Sequence, residues 1–98
     1  RRLYVAETGT NRLLAYPVIA PGRLGERRLF ADLPAKGAGQ THAVPDGVLV
    51  DRAGDVYVAH HGTAAVRVYS PAGELRRSLP AGNVCVSNLA FGPGGALF

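Results

Sequence analysis

The chain has 98 residues, of which 47% are hydrophobic and 18% are charged, and its net charge is +4 at pH 7. No apolar run is long enough to span a membrane, and a single cysteine, Cys85, excludes an internal disulfide. The positive charge comes from arginines in scattered singles and pairs, without the interleaved aromatic residues that stack on bases. We therefore expect no nucleic-acid partner and no membrane partner.

Period-two alternation of apolar residues, bounded by Gly, Pro, Asn and Asp clusters, predicts short β-strands along the whole chain. In chain order, the predicted strands are Leu3–Ala6, Leu13–Tyr16, Arg27–Ala31, Gly47–Val50, Asp55–Ala59, Ala65–Tyr69, Leu75–Leu79, Val86–Phe91 and Ala96–Phe98. A long loop, Pro34–Pro45, separates the third strand from the fourth. The start of this loop is too rich in glycine to hold a helix, so no helix is predicted.

The strand pattern repeats. Leu3–Ala6 returns 53 positions later as Val56–Ala59, and Val48–Val50 returns 41 positions later as Leu89–Phe91. Self-similarity at about 40–50 residues, built from short strands and glycine turns, is typical of a β-propeller. Each repeat is then one blade, which covers its hydrophobic faces only by stacking against its neighbours.

We predict an all-β fold that is a fragment, about two blades, of a longer β-propeller. Residues 1–34 would form the end of one blade, residues 45–80 a complete blade, and residues 84–98 the start of the next. The expected partners are the remaining blades of the same chain. Because isolated blades leave strand edges unpaired, the 98 residues alone should fold weakly, aggregate or dimerise, and be inactive.

Four-stranded meander blades place alternate loops at the same end of a propeller. We therefore expect one end to carry Glu7, His42–Asp46, His60-His61 and Asn83–Asn88. The other end would carry plain turns, such as Asp51–Gly54. Nearly all polar residues with catalytic potential thus belong to a single end.

Asp46 is the first candidate for chemistry at that end. It stands in Pro45-Asp46-Gly47, just before an innermost strand, which aims its carboxylate at the mouth of the propeller channel. A carboxylate is a suitable ligand for Ca²⁺ or Mg²⁺, and a borderline one for Zn²⁺. On spacing alone, ordinary turn chemistry is the favoured interpretation of this tripeptide.

His42, His60 and Asn88 are the candidates for substrate binding at the same end. His60 and His61 are consecutive on a strand, so their side chains point to opposite faces and cannot both bind one metal ion without a bend. The alternative for the histidines is solvent exposure or packing within the loops, and for Asn88 it is stabilisation of a turn. Glu7 is expected to cap its own turn by accepting backbone N–H bonds.

Four segments resemble, in order, motifs of the gluconolactonase/regucalcin (senescence marker protein) family. They are Val5–Leu13, Gly25–Phe30, Val44–Ala59 and Ser87–Gly92. The third is similar to the family pattern I-P-D-G-M-x-x-D-x-x-G-x-L-W/Y-V-A, and the first is also similar to a stretch of the drug-responsive lactonases. The resemblance covers essentially the whole chain.

The resemblance implies a six-bladed β-propeller that hydrolyses lactones with one divalent metal ion, Ca²⁺, Zn²⁺ or Mg²⁺, in its central channel. The metal would polarise the lactone carbonyl and activate a water molecule. Asp46 corresponds to the family aspartate that binds the metal and acts as the base, so it is the expected catalytic and metal residue. The usual Glu and Asn ligands have no counterpart in the chain and are expected upstream of Arg1.

The sequence departs from the family at Gly47, where some members have serine, and Gly47 offers no side-chain ligand. A different function also remains open. NHL-type and strictosidine-synthase-like propellers share such strand patterns, and many of them only bind partners on one face. A non-catalytic binding module is therefore the alternative to the lactonase.

Overall fold

The computed structural model describes all residues, 1–98, and consists almost entirely of β-strands. The strands are β1 Arg2–Glu7, β2 Arg12–Ala20, β3 Arg23–Leu24, β4 Arg28–Asp32, β5 Val44–Val50, β6 Val56–His61, β7 Ala65–Tyr69 and β8 Leu75–Pro80. Two single 3₁₀ turns, Thr8–Thr10 and Pro93–Gly95, are the helical segments. Neither is long or apolar enough to cross a membrane.

The strands form two four-stranded antiparallel sheets. In the first, β2 pairs with β1 on one side and with β4 on the other, and the two-residue β3 pairs with the far end of β2. The second is a meander in the order β5-β6-β7-β8. These sheets confirm the predicted all-β class, while the blade boundaries at residues 34, 45, 80 and 84 stay a prediction.

The second sheet is covered on both faces. One core, between the two sheets, consists of Leu13, Ala31, Leu33, Val56, Val58 and Tyr69. On the opposite face, Tyr57, Val66 and Val68 pack with partly buried residues that include Val86, Leu89 and Leu97. Alternate residues of β6 thus enter different cores, as expected for a repeat unit between two neighbours.

The predicted strands over Val86–Phe91 and Ala96–Phe98 are wrong. The two segments make one isolated bridge, Phe91 to Leu97, with backbone bonds of 2.8 and 2.9 Å between Ala90 and Phe98. A strand needs a continuous ladder of partners, and residues 86–89 have none. Instead, the Ser87 carbonyl accepts one N–H bond from Gly47, at 2.8 Å.

The repeat of 53 residues reappears in the backbone conformation. It aligns Asn11 with Ala64, and these are the two non-glycine residues with positive φ, 56° and 57°. Asparagine tolerates the left-handed region, whereas for other L-residues it costs roughly 1–2 kcal/mol. Ala64 therefore carries backbone strain that Asn11 largely avoids.

We expect Ala64→Gly to raise the free energy of unfolding by about 0.5–1 kcal/mol, because the relief of this strain exceeds the entropy cost of glycine. Urea denaturation of the full-length protein measures the change. Ala72→Gly is the matched control, since Ala72 is an exposed turn residue without positive φ and should give no gain. Equal effects of the two substitutions would contradict the strain at Ala64.

Candidate functional site

Three loops converge at one end of the second sheet. In the pairing of β5 with β6, Pro45 lies opposite His60 and Val44 lies opposite His61. The 3₁₀ turn after β1 reaches the same place, where the Thr8 hydroxyl donates to the Pro45 carbonyl at 3.1 Å. The predicted gathering of these loops at one end is therefore what the structure has.

Asp46 lies at a β-bulge in β5. The ladder runs from the pair Pro45–His60 directly to the pair Val48–Val58, so two residues of β5 lie opposite one residue of β6. Bulges re-aim side chains and are frequent beside active sites. The carboxylate of Asp46 is exposed, and the ion pairs of the chain, Arg12–Glu7 and Arg76–Asp55, leave it free. It is therefore available to a ligand.

Asn88 packs against Gly47, directly beside Asp46. A Cβ atom on residue 47 would clash with Asn88 Oδ1 and lie 2.9 Å from the Asn88 Cα. Only glycine fits at this approach, which explains why this chain has no serine there. The Asn88 side-chain oxygen accepts the N–H of Leu89 at 2.9 Å, so it also orders its own loop. The structure thus brings Asp46 and Asn88 into the same neighbourhood.

His42 and His61 form a pair at this end, with their rings nearly coplanar and joined edge to edge through two nitrogens. Their ring centroids are 4.8 Å apart at an interplanar angle of 21°, and His42 Nε2 lies 2.6 Å from His61 Nδ1. His42 is exposed and His61 is half-buried. On the other side of the His42 ring, Nδ1 is 3.0 Å from the Thr41 hydroxyl. Each histidine is therefore oriented by a partner while the pair stays open to solvent.

His60 points the other way, into the space between the sheets, and has no exposed surface. Its Nδ1 accepts a hydrogen bond from Arg67 Nε at 3.0 Å, and its Nε2 lies 2.8 Å from Asn11 Oδ1. The amide nitrogen of Asn11 donates to the carbonyls of Leu33 and Pro34, which fixes the Asn11 oxygen toward His60. Since arginine can only donate, His60 is neutral and carries its proton on Nε2.

The environment of His60 opposes its protonation. Burial, and to a lesser degree the positive charge of Arg67, lowers the pKa of His60 to about 4. A second proton would place a ring N–H against the N–H of Arg67. The row of side chains from Asn11 through His60 and Arg67 to Ser78, which accepts from Arg67 at 2.8 Å, is a polar link between the two sheets.

Glu7 is held within its own loop. Its carboxylate accepts hydrogen bonds from the Thr10 hydroxyl and from Arg12, the latter at 3.0 Å. The hydrogen bond from Thr10, followed by the interaction with Arg12, lowers the pKa of Glu7. The expectation that Glu7 accepts backbone N–H bonds is wrong, because the turn after it has no side-chain cap.

The predicted site residues therefore fall into two groups. Asp46, Asn88 and His42 lie at the open end, and His60 is interior. Substrate binding by His42, His60 and Asn88 stays a prediction, and the burial of His60 favours a role in joining the sheets. The alternation of side chains along β6 already indicates an interior position for His60. Val56, Val58 and His60 lie on the same face of the strand, and this face packs toward the first sheet.

Sequence reasoning missed Asn11 and Arg67, the two partners of His60. Asn11 is 49 residues away from His60 along the chain, and no local pattern connects them. The one available signal is Asn11 itself, in the Thr10-Asn11 position that the repeat fills with Thr63-Ala64. A polar residue that replaces a small one between two repeats indicates a contact specific to one blade.

A model of the SMP-30/Gluconolactonase/LRE-like region matches residues 1–97. The chain belongs to this family. A comparison of this chain with curated proteins found no match.

Among solved structures, the family chain is similar to luciferin-regenerating enzyme, with a TM-score of 0.77 and 20% sequence identity. The likeness covers 93% of this chain and 30% of the chain of that enzyme. At this identity the likeness concerns the fold. It confirms that the two sheets are arranged as in a β-propeller, and it means that the chain spans about a third of the enzyme's length.

Proposed function

We propose that the chain is part of a metal-dependent lactonase whose remaining blades belong to the same protein. The observation that carries the proposal is the free carboxylate of Asp46, held at a bulge at the loop end of a gluconolactonase-like sheet. The substrate class is a lactone, and the cofactor is one divalent cation, Ca²⁺, Zn²⁺ or Mg²⁺.

The residues around Asp46 fit a hard cation in part. Its carboxylate is exposed and unpaired, and the amide of Asn88 lies beside the adjacent Gly47. Carboxylate and amide oxygens are the ligands that Ca²⁺ and Mg²⁺ prefer. No cluster of three or more His, Cys, Asp or Glu side chains occurs in residues 1–98. In the proposal, the missing ligands therefore come from other blades.

The chemistry requires attack of water on the lactone carbonyl, followed by cleavage of the ring C–O bond. Asp46 holds the cation and takes a proton from the attacking water. Asn88, whose side-chain N–H groups remain available, orients the lactone. A bound divalent cation supplies Lewis-acid stabilisation of the oxyanion that forms at the carbonyl. The proton then passes to the alkoxide that leaves when the ring opens.

The full-length protein that carries this chain provides the test. We expect it to hydrolyse one or more members of a panel of γ- and δ-lactones, to lose this activity after chelation, and to regain it on addition of Ca²⁺, Zn²⁺ or Mg²⁺. Acid release in a weakly buffered solution measures the reaction. Absence of hydrolysis in the metal-loaded protein would contradict the lactonase and favour a binding module.

A further inference from the structure

The edge-to-edge pair of His42 and His61 has no part in the proposed hydrolysis, yet two imidazoles are suitable ligands for a metal ion. Two imidazole nitrogens, His42 Nε2 and His61 Nδ1, face each other at 2.6 Å. Two lone pairs at this distance would repel, so one proton lies between the rings. A cation that binds imidazole can take the place of this proton.

We propose that His42 and His61 bind a borderline divalent cation, of which Zn²⁺ is the representative, at a site separate from Asp46. Imidazole is a preferred ligand of Zn²⁺, Cu²⁺ and Ni²⁺, whereas Ca²⁺ and Mg²⁺ select oxygen ligands. The proposal is independent of the lactonase proposal, because it needs neither Asp46 nor a substrate.

Close packing against Gly62 holds the backbone of His42 beside His61. Gly62, which follows His61, has a φ of +94°, and a Cβ atom there would clash with the His42 carbonyl and lie 2.8 Å from the His42 ring. The Gly62 N–H donates to the Val84 carbonyl at 2.7 Å, which anchors the turn. A glycine at residue 62 therefore allows the loop of His42 to press against the end of β6.

The orientation of the rings also suits a metal. His42 Nδ1 lies 3.0 Å from the Thr41 hydroxyl, and a metal-binding histidine commonly donates its second N–H to an oxygen of this kind. With that proton on Nδ1, the lone pair of His42 Nε2 faces His61. Without metal, the proton between the rings is then on His61 Nδ1. In the metal-bound form it is displaced, and neutral His61 carries its proton on Nε2, which leaves Nδ1 for the cation.

Only a small movement is needed. With Zn–N bonds of about 2.0–2.1 Å and tetrahedral angles, the two nitrogens must be about 3.3 Å apart. The two nitrogens are now 2.6 Å apart. Because His42 is exposed and lies in the loop between β4 and β5, rotation of its side chain can increase this distance to the required value. Water or a donor atom of another molecule completes the coordination.

Zinc titration of the full-length protein, without a histidine tag, tests the proposal. The exposed thiol of Cys85 is itself a zinc ligand, so all measurements use a Cys85→Ser background. Isothermal titration with ZnCl₂ should detect the site. His42→Gln or His61→Gln should weaken it by at least the roughly 10- to 100-fold that loss of even an outer partner of a metal site costs.

Asp46→Asn is the matched control. It should leave the zinc affinity of the histidine pair unchanged, whereas the histidine variants should leave Ca²⁺ or Mg²⁺ binding unchanged. Glutamine at residue 42 still hydrogen-bonds to His61, so the loop is retained and a loss of affinity reports the missing imidazole. Measured in the Asp46→Asn variant, absence of zinc binding, or zinc binding that survives both histidine substitutions, would overturn the proposal. Equal losses of zinc affinity in the Asp46 and histidine variants would overturn it as well.

Discussion

Asp46→Asn in the full-length protein is expected to lower lactone hydrolysis by roughly 100-fold or more, and to weaken Ca²⁺ or Mg²⁺ binding by roughly 10- to 100-fold. The substitution keeps the size of the side chain and removes its charge. Since Asp46 lies at a bulge and is exposed and unpaired, no hydrogen bond of the fold is lost. Metal titration and hydrolysis rates measure the two effects.

Asp51→Asn is the control, because Asp51 lies at the other end of the same strand. One side-chain oxygen of Asp51 accepts the N–H groups of Ala53 and Asp55, each at 2.9 Å. The amide oxygen of asparagine can accept both bonds, so the turn should be retained and neither measurement should change. Near-wild-type metal binding and hydrolysis in Asp46→Asn would refute the metal-lactonase proposal and favour the binding module.

Acidification is expected to destabilise the protein through His60. Its pKa is about 4 in the folded state and near 6.5 when the chain is unfolded, so between these values the unfolded state binds more protons. The stabilising contribution is complete above pH 6.5 and is lost as the pH falls toward 4. The shift corresponds to about 3 kcal/mol in the free energy of unfolding at pH 4.

His60→Gln isolates this contribution. The variant should be less stable at pH 7 by about 1–3 kcal/mol, because the partners on either side of the ring lose hydrogen bonds. Its stability should fall less between pH 6.5 and pH 4, since glutamine does not titrate. Urea denaturation of the full-length protein and its His60→Gln variant at several pH values measures the difference.

His42→Gln is the matched control for acid sensitivity. His42 is exposed and does not contact the link between the sheets, so adding this substitution should leave the effect of His60→Gln on the pH dependence unchanged. An identical pH dependence of His60→Gln and the wild type would show that His60 is not the group that titrates in this range.

Local sequence patterns were sufficient to predict the all-β class and the end of the sheets at which the loops lie. Alternation predicted most strands within a few residues, because burying one face of a sheet forces apolar residues to period two. The prediction of a strand over Val86–Phe91 was wrong because alternation shows only that one face of a segment is apolar. It does not show that a neighbouring strand is present to pair with the backbone. Pairing depends on a neighbouring strand, and residues 86–89 lack one.

The sequence by itself determined the all-β class, the repeat and the shared end of Glu7, Asp46 and His60. Each follows from short-range periodicity, which every strand expresses in its own residues. Only the tertiary structure decided that His61 rather than His60 meets His42, that Asn88 presses on Gly47 and that Asn11 reaches His60. These contacts join residues 19 to 49 positions apart across loops without periodicity, so their partners depend on how the sheets stack.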